Sequence, residues 1–144
     1  MVEKVHTDFL KTLLGVKKFT SNVMLYFELG RVPLKCERNY RLLKFWLKLL
    51  KSENCIILAC YKELVSNCNT SYNFASYVKD LLYDLGLNYV WDSQWEIIID
   101  ELLLLQIRQR LEDHTKQELR SSLDSSSKCS LYKFMVSSFN LQFY

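Results

Sequence analysis

The chain reads as an all-α protein, an irregular bundle of about six helices in a single domain. Three observations predict this. Apolar residues recur at intervals of three and four through most of the chain, the period of a helix with one buried side. The 144 residues include only three glycines and one proline, all close to segment ends, so long uninterrupted helices are easier to build than a turn-rich β architecture. With 49% apolar and 14% aromatic residues, the chain has enough side chain for a real core and is no disordered tail.

Taken in order, Val2 to Leu14 places Val5, Phe9, Leu10, Leu13 and Leu14 at helical spacing, and Gly15 supplies a left-handed residue to close that helix. Thr20 or Ser21 caps a two-turn helix through Leu29, with Val23, Met24 and Phe27 on one side and Gly30 ending it. Pro33 holds Val32 out of the helical region and so turns the chain. Leu34 to Lys51 is the clearest helix: Leu42, Leu43, Trp46, Leu47, Leu49 and Leu50 share one arc, while Arg38, Arg41, Lys44, Lys48 and Lys51 gather on the other with Phe45 among them.

A further helix runs from after Asn54 to about Ser66 and is expected to bury Ile56, Ile57, Cys60 and Leu64. A polar break at Asn67 to Thr70 follows, then a helix from Phe74 to Leu85, capped by Ser71 or Asn73 and stopped by Gly86. Leu87 to Gln94 lacks helical periodicity and reads as a connector pinned by its aromatics. Ile97, Ile98 and Ile99 are assigned to the start of a long last helix ending at Leu123, with Leu103, Ile107, Leu111 and His114 on one face. Residues 124–144 read as a serine-rich linker and a tail, for which one marginal helix and a packed extended end both stay open. Residues 1–51 thus form a basic N-terminal part and residues 52–123 a helical core.

Charge is divided unevenly. Residues 1–51 hold eleven Lys/Arg against four Asp/Glu, or +7, whereas residues 52–144 hold eight against twelve, or −4. The first third is a candidate footprint for phosphates, and the remainder repels them or attracts the first third. The N-terminus is too charged for a signal peptide, and the longest apolar run falls far short of the ~20 residues of a spanning helix. An intracellular chain, cytoplasmic or nuclear and without a membrane span, is expected. Five cysteines without a CxxC pair predict reduced thiols and no disulfide scaffold.

No catalytic constellation stands out. Asp92, Glu96 and Asp100 recur every four residues and would share a helix face, but a metal site of this kind needs ligands converging from separate elements, so compensation of a helix dipole is the plainer use. Cys55 or Cys60 with His114 as nucleophile and base is disfavoured because both cysteines lie in apolar periodic stretches, and the paired spacing of a zinc site is absent. No metal, cofactor or enzymatic activity is expected. Trp46, Trp91, Trp95, Tyr26 and Tyr40 are core residues first, and base-stacking platforms second.

Leu14, Gly15, Val16, Lys18, Thr20 and Asn22, then Tyr26, Glu28, Leu29, Gly30, Arg31, Pro33 and Leu34, then Lys44, Trp46 and Leu50 form a pattern. It resembles the region after the polymerase core in the reverse transcriptase of jockey-like non-LTR retrotransposons, and Glu28-Leu29-Gly30-Arg31-x-Pro33-Leu34 is its sharpest part. Tyr61, Asn69, Tyr72, Tyr77, Lys79, Gly86, Val90, Trp91 and Gln94, then Ile107, Arg110, Leu111, Asp113 and Gln117, continue it downstream. The Phe/Tyr-Ala-Asp-Asp loop that carries the family's catalytic metals is missing, as is the Cys/His-rich segment that follows in the family; Leu119 and Gln142 replace an aromatic residue and an acid. The resemblance implies a non-catalytic fragment holding thumb-like and post-thumb helices, with RNA or an RNA/DNA hybrid as a weak, sequence-indifferent partner of Arg38, Arg41, Lys44, Lys48 and Lys51. The signature block itself reads as structural: Gly30 for a positive φ, Pro33 for helix entry, Glu28 and Arg31 free to pair across the turn. A helical protein-interaction module and a translated remnant without selected function are the alternatives.

Overall fold

The computed structural model describes residues 2–126 together with Tyr132 and Phe134. Among these residues the secondary structure is entirely helical: α1 (Val2–Leu13), α2 (Asn22–Leu29), α3 (Leu34–Leu50), α4 (Cys55–Ser66), α5 (Phe74–Asp84), α6 (Asn88–Asp92) and α7 (Glu101–Ser125). The chain divides into two compact units, one from Met1–Arg38 with Glu112–Tyr144, the other from Asn39–Leu111. The expected helix and extended end at Tyr132 to Tyr144 fall outside the described residues apart from Tyr132 and Phe134.

In the first unit Leu10, Tyr26 and Leu119 form a buried cluster edged by Val23, Phe27 and Leu29, and Leu123 and Tyr132 form a second edged by Val23, Met24 and Phe27. Of the five apolar residues expected to line α1, only Leu10 is buried; Val5, Phe9 and Leu13 are each more than 60% exposed. Polar anchors set the rotation of this helix. Glu3 Oε1 accepts from Tyr26 Oη at 2.6 Å and from the Leu34 amide at 3.2 Å, and Lys11 Nζ donates to the Lys18 carbonyl at 2.8 Å. These bonds turn Glu3, Thr7, Leu10 and Lys11 inward, because a buried polar group needs its partner more than an apolar one needs burial. Burial and the Glu3 carboxylate hold the Tyr26 phenol well above its usual range. Gly30 ends α2 at φ 57°, its amide bonded to the Phe27 carbonyl and that of Arg31 to the Tyr26 carbonyl.

The second unit is organised around α3. Leu43, Trp46 and Leu47 are at most 1% exposed, as the arc predicts, while Leu42, Leu49 and Leu50 are half-buried and Phe45 lies outside at 59%. Trp46 Nε1 donates to Tyr61 Oη at 2.6 Å, and Tyr61 Oη donates to Gln94 Oε1 at 2.7 Å, all three residues being buried. The Trp46 and Trp91 rings stack 6.1 Å apart.

That network corrects the reading of α4. Ile56, Ile57, Cys60 and Leu64 are all exposed, and Tyr61 is the residue that faces the core. One tyrosine buries more surface than a small aliphatic and brings a hydroxyl that satisfies both Trp46 and Gln94, and this sets the rotation of the helix. α4 starts at Asn54, whose side chain accepts from the Ile56 and Ile57 amides; α5 starts at Asn73, which forms a reciprocal capping box with Ser76. The stretch expected to be a plain connector contains the short helix α6, which buries Val90 and Trp91; Trp95, expected in the core, is 50% exposed beneath Lys62.

The isoleucines are not helical. Asp100 Oδ1 accepts from the Leu103 amide at 2.8 Å, so α7 begins just after Asp100 and leaves Ile97, Ile98 and Ile99 irregular. Asp92, Glu96 and Asp100 therefore share no helix face, and no metal-holding cluster of three such side chains forms among the described residues. On α7 Leu103, Ile107 and Leu111 are buried, but the next inward position is Thr115, and His114 instead sits 4.0 Å from the Glu118 carboxylate. α7 also continues through Asp124 and Ser125, where a linker was expected.

Candidate nucleic-acid interface

Helical geometry carries Arg41, Lys44 and Lys48 along one side of α3 over a rise of about 10 Å. All three are exposed, and they lie away from the buried Leu43 and Trp46. Among the described residues no carboxylate pairs with Lys44 or Lys48.

The two ends of the expected five-residue face behave differently. Arg38 is exposed but belongs to the first unit. Lys51 lies one residue past the end of α3, and its Nζ donates to the Ile99 carbonyl at 2.7 Å. It holds the 97–100 stretch against the end of α3 instead of extending the row. Its role was hidden in the sequence because Ile99 is 48 residues away and is not helical.

Beside the row lies a groove of about 480 Å³, lined by Arg41, Lys44, Phe45, Leu47, Lys48, Lys51, Ile99 and Leu104. Its interior is almost wholly apolar, so the cations meet it through their aliphatic stems and place their charges at the mouth. Phe45 is held at one wall by an edge contact with Phe74, ring centres 6.1 Å apart. No sequence pattern marks this groove, because the residues from α3 and from 99–104 meet only in the fold.

The signature block lies in the first unit and is largely structural. Leu29 packs on the Leu10 cluster, Gly30 has the left-handed conformation, Leu34 gives its amide to Glu3, and Pro33 is half-buried just before α3. Glu28 and Arg31 are both exposed and form no pair across the turn, in contrast to the expectation; the Arg31 amide is instead spent on the Tyr26 carbonyl. Gly30, Arg31, Val32 and Leu34 border a cavity of about 350 Å³ together with His6 and Lys116.

Cys55 and Cys60 are exposed free thiols on α4, and Cys68 is a half-buried one. No helix among the described residues is long and apolar enough to cross a membrane. Comparison with protein families, with characterised proteins and with solved structures returned no match.

Proposed function

We propose that the chain is a non-catalytic helical fragment of reverse-transcriptase descent that contacts nucleic-acid phosphates, inside the cell, through the basic side of α3. The observation that carries this reading is the row of Arg41, Lys44 and Lys48, exposed on a helix whose opposite side is locked into a core, with Lys44 and Lys48 unpaired with any described carboxylate. Such a row matches about three successive phosphates of one strand and reads no base edges, so the contact is weak and indifferent to sequence. The descent rests on the resemblance centred on Glu28 to Leu34. The test is fluorescence anisotropy with a labelled RNA/DNA hybrid across a salt series. The parent is expected to bind with a log–log salt slope of about −2 to −3, three contacts at roughly 0.7–0.9 each, and Lys44→Glu/Lys48→Glu to lose binding while keeping its helical circular dichroism. Equal binding by parent and variant refutes it.

A second reading is favoured by α1, whose Val2, Val5, Phe9 and Leu13 present an exposed apolar side. That surface suits a protein-interaction module, and substituting Phe9 and Leu13 by Ser would then release a partner without altering hybrid binding.

A further inference from the structure

The geometry points to the groove beside α3 as a binding site for a free amphiphilic anion with a flexible aliphatic body, a medium- or long-chain carboxylate. The interior offers Phe45, Leu47, Ile99 and Leu104 and almost no polar atom, while Lys44 and Lys48, both exposed, are among its lining residues and supply positive charge beside it. A ligand that fills such a site has to be apolar along its length and negative at one end. A volume of about 480 Å³ falls within the range of small-molecule sites, roughly 300–1,000 Å³.

Other anions fit less of it. A phosphate group would use the mouth and leave the interior wet. A nucleobase would bring donors and acceptors on its edge into a wall that cannot satisfy them, at a desolvation cost an alkyl chain does not have. The groove is therefore separate from the phosphate contact proposed above, although both draw on Lys44 and Lys48, and a bound carboxylate competes with nucleic acid for them. Lys51 acts here as a positioning residue: its bond to the Ile99 carbonyl holds one apolar wall in place.

The test is isothermal titration calorimetry of the full chain with octanoate, decanoate and dodecanoate below their micelle concentrations. Affinity is expected to rise with chain length, by up to about fourfold per methylene where the added group is fully buried. Dodecanol and dodecyltrimethylammonium, with the same chain, are expected to bind at least tenfold more weakly than dodecanoate, and Lys44→Gln/Lys48→Gln to narrow that difference severalfold, Arg41 and Lys51 remaining beside the groove. Phe45→Asn alters an exposed wall residue without adding charge beside Arg41, Lys44 and Lys48, and so spares both the core and the cations; it is expected to weaken dodecanoate at least tenfold without affecting binding of the RNA/DNA hybrid. Leu104→Asn provides an independent check from the opposite wall. No dodecanoate binding, an affinity flat with chain length, equal binding of the cationic analogue, or parent affinity in both wall variants overturns the site. Attachment to phosphatidylglycerol vesicles without binding of monomeric dodecanoate also overturns it. Because Phe45→Asn leaves the charges of the phosphate contacts intact, failure of this site and failure of the nucleic-acid reading are separate results.

Discussion

Replacing Tyr61 by Phe removes one oxygen from the core of the second unit and tests the central interaction there. The ring stays, so burial of apolar surface is unchanged; what is lost is the acceptor for Trp46 Nε1–H and the donor to Gln94 Oε1. Trp46 is 0% exposed and Gln94 7%, so water does not replace the hydroxyl without rearrangement. A buried polar group left without its partner costs about 1–3 kcal/mol. Two such groups give an expected loss of roughly 2–6 kcal/mol, a large share of the ~5–15 kcal/mol that holds a domain together. All three tryptophans, Trp46, Trp91 and Trp95, lie between Asn39 and Leu111. Tryptophan emission in a urea titration therefore reports on this unit alone, and the midpoint should fall by about 1–3 M at a denaturant dependence of about 2 kcal/mol/M. Gln94→Leu completes a double-mutant cycle, in which the two substitutions together should cost less than the sum of each alone. A Tyr61→Phe midpoint within about 0.2 M of the parent, or strict additivity in the cycle, would refute the network as a source of stability.

Two further predictions concern pH and the start of α7. Burial, opposed by the Trp46 hydrogen bond, pushes the Tyr61 phenol from 10.0 up to about 12; the fold prefers the neutral form, so the stability difference between parent and Tyr61→Phe should be constant below pH 10, shrink as the pH rises towards 12, and be read from paired urea melts. Asp100→Ala removes the acceptor for the Leu103 amide and should cost about 1 kcal/mol, with tryptophan-monitored melts as the readout and an unchanged midpoint as the refuting result.

The helices were legible where the signal is local. Gly30 and Gly86 stop α2 and α5, and the centre of the α3 arc, Leu43, Trp46 and Leu47, is buried as its periodicity requires, because caps and periodicity depend on residues a few positions apart. Rotations set by distant polar partners were not legible. α4 offered Ile56, Ile57, Cys60 and Leu64 as a plausible inner face, yet a bond to Trp46 and another to Gln94 select Tyr61. α1 offered Val5, Phe9 and Leu13, yet Glu3 and Lys11 find their partners on the other side. In both helices a few hydrogen bonds of long sequence separation outweigh a stripe of aliphatic side chains. The candidate interface shows the same division: Arg41, Lys44 and Lys48 follow from helical spacing, whereas the groove beside them depends on residues 99–104 and leaves no trace in the α3 pattern.

The boundary at Asp100 connects the fold to the groove. Were Ile97 to Ile99 the first turn of α7, the Ile99 carbonyl would accept from the amide of residue 103 and Lys51 would have no acceptor there. By taking the Leu103 amide itself, Asp100 starts the helix at Glu101 and leaves the Ile99 carbonyl outside it. Lys51 then binds that carbonyl, and Ile99 joins Phe45 in lining the groove. One side-chain cap thus leaves free the carbonyl that Lys51 binds and, with it, sets where Ile99 meets the groove.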